Sequence, residues 1–196
     1  ILGVQVLVSQ NFGAKNYEKC GEIWWRSIPY AFLLGCLGLA ICLFTEEILL
    51  ITGQEPEIAK GGGQIAMIAG LSLPILGVYM VTTMFLEGIR RVKPGMVIII
   101  AANILNVFAN YALIYGAFGM PELGAVGSAW ASTIVRTMQL FAVFGFVWFL
   151  KDLEKFSLHK IPKLSIRAGQ EMRRIGYAAG LSLGFENFSF NALAVL

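Results

Sequence analysis

Apolar and polar positions alternate along this chain in long blocks rather than at single residues. Five apolar stretches, residues 28–44, 65–86, 96–115, 125–150 and 175–196, are separated by short polar segments. Crossing a hydrocarbon core takes about 20 helical residues, and each stretch has that length or nearly so. A water-soluble fold has no place to hide five of them. The pattern predicts an all-α, polytopic transmembrane helix bundle.

Two details refine the elements. Residues 1–8 read as the last turns of a helix that began upstream, and the apolar run ending at Leu196 has no closing loop. The sequence therefore reads as an internal piece of a longer protein. Pro74 falls inside the 65–86 stretch, where it removes a backbone hydrogen bond and predicts a kink.

Composition agrees with the pattern. Hydrophobic residues make up 57% of the chain and charged residues only 14%, against about 25% charged in soluble domains. The mean hydropathy is +0.72. A net charge of +3 is too small to suggest nucleic acid as a partner.

The placement of charge carries more than its sum. Segment 11–27 holds Lys15, Lys19 and Arg26; segment 87–95 holds Arg90, Arg91 and Lys93; segment 151–174 holds seven Lys and Arg residues. Between them, segment 45–64 carries Glu46, Glu47, Glu55 and Glu57 against a single Lys60, and segment 116–124 carries only Glu122. Basic residues concentrate in alternate loops, which places those loops on the cytoplasmic side. The 151–174 segment is the longest and most polar. It is the candidate linker between two bundles, or a solvated basic loop that only sets topology.

Two ionisable groups are predicted at mid-membrane. Arg136 and Glu186 each lie about 11 residues into their stretches, roughly 16 Å deep. Such groups are costly there and face a cavity or a partner, so the two form a candidate pair. The bland alternatives are a snorkelling structural cation and a protonated, hydrogen-bonded carboxyl.

Around Glu186, Gly176, Gly180 and Gly184 form one smooth stripe suited to helix packing. Ser182 and Ser189 share the face of Glu186 instead. A carboxyl on such a polar face can exchange a proton, or trade a proton for sodium. Asn103, Asn106 and Asn110 fall on one helical stripe of the 96–115 stretch, and amides there need partners. Thr82 and Thr83, about two turns beyond Pro74, are candidates to line the same cavity.

Other chemistry is missing from the sequence. Cys20, Cys36 and Cys42 show no metal spacing or CxxC motif, and His159 stands alone in a loop. No Walker A loop, nucleophile elbow or GxGxxG occurs. An enzyme is therefore not expected, and neither is a cofactor.

Four local patterns resemble signatures of one transporter family. Val8-Ser9-Gln10-Asn11-Phe12-Gly13-Ala14-Lys15-Asn16 resembles their "VSQxFGAxN" helix end. Arg91-Val92-Lys93-Pro94 is similar to the basic, proline-terminated loop after their fourth helix. Asn106-Val107-Phe108-Ala109-Asn110-Tyr111, followed by Ile114-Tyr115-Gly116, resembles "NxxLNYxLIxG". The stretch from Phe118 to Ala129 resembles the turn "FGMPxLGxxGxA". The four occur in the same order in the multidrug and toxic-compound extrusion transporters, the family that this sequence resembles across essentially the whole chain.

The resemblance implies most of one six-helix lobe of a twelve-helix transporter: residues 1–150 as helices two to six, 151–174 as a cytoplasmic inter-lobe linker and 175–196 as the start of helix seven. It implies a secondary antiporter in the plasma (inner) membrane, exporting small organic, often cationic, compounds. Sodium or proton influx would drive it. Glu186 matches the family's helix-seven glutamate, which takes part in cation coupling. Asn106 and Asn110 match fifth-helix positions that line the cavity in some members. The family pattern does not anticipate Arg136. A lipid-linked precursor flippase would be expected to line its cavity with several cations, and here only Arg136 qualifies. An inactive lobe or membrane scaffold is the other alternative.

Overall fold

The structure, a computed structural model, describes residues 3–149 and 153–158. The described residues form helices and turns with no strand. In chain order the helices are α1 (Gly3–Gly13), α2 (Tyr17–Leu43), α3 (Thr45–Ile51), α4 (Pro56–Gly88), α5 (Val92–Tyr115) and α6 (Gly124–Trp148). Short 3₁₀ turns follow α5 at Ala117–Gly119 and α6 at Leu153–Phe156. Helices α2, α4, α5 and α6 are each long and apolar enough to cross a membrane. The expected fifth span, 175–196, lies outside the described residues.

Three boundaries differ from the sequence expectation. Residues 17–27, read as loop, are the first turns of α2. They are amphipathic: Cys20, Gly21 and Trp24 are buried, while Glu18, Lys19 and Glu22 stay exposed. Arg26 pairs with Glu22 one turn away at 3.5 Å. Charge on one face lets a helix continue past the apolar core without burying it. In the acidic 45–64 segment, α3 occupies Thr45–Ile51 and α4 starts at Pro56, where proline's missing N–H costs nothing. Helix α1 reaches Gly13 rather than stopping near Val8.

Helix α4 is the centre. It packs against α1, α2, α3 and α6, whereas α5 packs mainly against α6. Small residues permit the close approaches. A Cβ on Gly35 of α2 would lie 2.3 Å from the Cα of Pro74, and one on Gly127 of α6 would lie 2.3 Å from the Leu113 carbonyl oxygen of α5. Helix α4 runs through Pro74 as one helix from Pro56 to Gly88. The bare face of Gly35 accommodates the proline. Without a hydrophobic force between helices in lipid, such small-residue contacts carry association.

The basic end is tied by the turn after α6. Phe156 and Leu158 are buried there. The Trp25 indole N–H donates to the Leu158 carbonyl at 2.8 Å. The rings of Phe12, Tyr17 and Phe85 surround Phe156, and Lys155 Nζ lies 4.1 Å from the Tyr17 ring centre. Gly21 leaves room for the Phe156 carbonyl, which a Cβ would meet at 2.0 Å.

Candidate functional site

Arg136 stands at the midpoint of α6 and Ser72 at the midpoint of α4. Their level is set by the pairing of the two helices. One turn before Arg136, the Thr133 hydroxyl bonds the Ile68 carbonyl of α4 at 3.1 Å and its own Ala129 carbonyl at 2.9 Å. Arg136 Nη1 then donates to Ser72 Oγ. Ser72 is fully buried and donates in turn to the Ala69 carbonyl at 2.6 Å. The guanidinium is half-buried, on the same side of α6 as buried Ala129, Thr133 and Val143.

No carboxylate pairs with Arg136 among the described residues. The acidic side chains of the described helices lie near their ends: Glu18 and Glu22 on α2, Glu46 and Glu47 on α3, Glu57 and Glu87 on α4. Glu87 is engaged elsewhere, accepting from Gln5 Nε2 at 2.9 Å. Glu186, Ser182 and Ser189 lie outside the described residues.

The asparagine stripe divides. Asn103 is exposed near the midpoint of α5, at the level of Arg136. Asn106 and Asn110 are half-buried and joined: Asn110 Nδ2 donates to Asn106 Oδ1 at 2.8 Å and to the Asn106 carbonyl at 2.9 Å. Asn110 Oδ1 is buried and accepts from no described group.

The two threonines also separate. Thr82 has no exposed surface; it donates to the Val78 carbonyl at 2.9 Å and accepts from the Trp24 indole at 3.2 Å. It belongs to the α2–α4 contact and not to a cavity wall, because its hydroxyl is what satisfies a buried indole. Thr83 is half-buried, and its hydroxyl donates to the Tyr79 carbonyl at 2.9 Å.

The described residues also contain an open groove of about 280 Å³ between α5 and α6. Val97, Ala101, Leu105, Val135 and Met138 line it, with Gln139 as a polar member. Sequence reasoning missed both Ser72 and Gln139. A single serine or glutamine in an apolar stretch carries no periodic signal. A midspan arginine, however, demands an acceptor, and Ser72 lies at the corresponding depth on α4.

Comparisons with known proteins give the arrangement its context. Residues 1–112 match the family model described as MatE. The whole chain is 36% identical to the probable multidrug resistance protein NorM of Caulobacter vibrioides and covers 42% of it. Over 142 residues, 72% of the chain, it is 36% identical to multidrug and toxin extrusion protein 2 of Mus musculus, covering 24% of that protein. It is 31% identical to multidrug resistance protein PmpM of Pseudomonas aeruginosa, covering all of this chain and 42% of that one. The chain thus spans less than half the length of these relatives. In three dimensions it matches the crystal structure of the eukaryotic MATE transporter AtDTX14 with a TM-score of 0.79 at 20% identity, over 90% of this chain and 38% of that one. That likeness establishes the fold. Four apolar spans, small-residue helix contacts and kinship along the full length make this a multi-pass membrane protein, and the chain belongs to the MatE family.

Proposed function

We propose that the chain is part of a secondary antiporter, not an enzyme, that exports small organic, often cationic, compounds across the plasma membrane in exchange for sodium or protons. The observation that carries this is the 36% identity, over the entire chain, to a protein named for multidrug resistance. In this reading residues 1–150 are the first lobe, 151–174 the linker to the second and 175–196 the start of that second lobe. Asn103, Asn106 and Asn110 serve the substrate path from α5. Thr83, Ser182 and Ser189 are further polar positions on that path.

Glu186 is the proposed coupling residue. A carboxyl at mid-membrane can hold a proton or help coordinate sodium, then release it when the cavity opens to the other side. Glutamine keeps the size and hydrogen bonding of the side chain but cannot change charge. In the full-length protein, Glu186→Gln is expected to abolish gradient-driven efflux in vesicles while leaving insertion intact. Wild-type efflux by that variant under imposed sodium and proton gradients rules out the coupling role.

A further inference from the structure

We propose that Arg136, held by Ser72, is the residue that recognises the anionic group of carboxylate-bearing substrates; this rests on the antiporter reading above. The argument begins with cost. A cation at mid-membrane is retained only where a partner or a watery cavity offsets its desolvation. Arg136 has one described partner, and that partner is neutral. Ser72 cannot neutralise the charge; it orients it. Because Ser72 is fully buried and fixed to the Ala69 carbonyl, it anchors one Nη on the α4 side. A guanidinium carries five donors in a rigid plane. With Nη1 anchored, the edge formed by Nε and Nη2 remains, and that edge matches a carboxylate with two parallel hydrogen bonds.

Position supports a ligand role over a snorkelling one. Arg136 is at the helix midpoint, so neither end of α6 is close. Its neighbours one turn before and two turns after on the same face, Thr133 and Val143, are buried, yet the arginine keeps open surface. The charge is therefore held against α4, with part of its surface left uncovered by the described helices. Glu186 is the acidic residue whose predicted depth also fits, and it is the competing anion.

The test compares two dyes that differ in one charge. Rhodamine B carries a free carboxylate, and its ethyl ester is a plain cation of nearly the same shape. Efflux of each is measured in proteoliposomes containing the full-length transporter. Losing a charge-assisted bidentate contact should lower the acid-over-ester ratio of kcat/KM about tenfold or more in Arg136→Gln. Arg136→Lys keeps the charge without the fork, and its ratio should fall between the two. Ser72→Ala should raise KM for the acid with kcat little changed, because it loosens the guanidinium without removing it.

An unchanged ratio in Arg136→Gln and Arg136→Lys overturns the proposal. So does equal loss of both dyes that is relieved by adding Glu186→Gln, because the arginine's anion is then the protein's own. Export of the ester but not of the acid by the wild type overturns this inference alone; failure to export either dye, or any other organic cation, under imposed gradients overturns the antiporter reading and this inference with it.

Discussion

Helices α4 and α5 follow one another in the chain, joined only by residues 89–91, and their most apolar windows have equal mean hydropathy. Half of that window is buried in α4, against 6% in α5. Hydropathy therefore decides that both cross the membrane and says nothing about which one the others gather around. The side chains decide that. Helix α4 turns Gly70, Ser72, Gly77 and Thr82 toward its neighbours, and Leu39, Cys42, Arg136, Ala31 and Trp24 sit against them. Helix α5 buries only Gly95 and Ala102, and exposes Val97, Ile100, Ile104, Val107 and Phe108. In lipid a large apolar side chain gains nothing by leaving the tails for another helix, so small and polar residues mark the inner helix.

The comparison is most severely tested where α2 meets α4. Gly35→Leu must push a side chain into the backbone at Pro74. It should cost about 3 kcal/mol, the upper end of overpacking losses. Thermal unfolding of the purified protein in detergent measures this, and a wild-type transition would show that the two helices separate freely. A smaller effect is expected inside the same contact. Thr82→Val deletes the acceptor of the Trp24 indole and should cost about 1 kcal/mol. Its signature is a changed environment of Trp24 in tryptophan fluorescence. The smallest effect belongs to α5: Val107→Ala, on an exposed face, should stay within about 0.5 kcal/mol in the same unfolding assay. A loss comparable to Gly35→Leu would mean that α5 is packed as tightly as α4.

Much of this was legible from pattern alone. The apolar blocks fix the four described spans, because length and hydropathy report directly on the bilayer. Residues 17–27 misled, since their charges look like loop until the burial of Cys20, Gly21 and Trp24 reveals a helical face. The candidate site was legible at Arg136, whose charge is conspicuous in an apolar run. Ser72 was not, because the pair is separated by 64 positions and only the packing of α4 on α6 brings it together. Thr82 looked like Thr83 in sequence. The indole of Trp24, 58 positions away, is what separates their roles.

The seat of the turn at Leu153–Phe156 also has a timing. Trp25 and Leu158 are 133 positions apart. A chain made at roughly 5–20 residues per second needs roughly 7–27 s to travel from one to the other. Through that interval the Trp25 indole lacks its protein acceptor, while contacts among the helices already made can form. Closing so long a loop also carries more entropy than any neighbouring-helix contact. Among the contacts of the described residues, the docking of this turn is thus the last to close, and it requires that α6 has already been made.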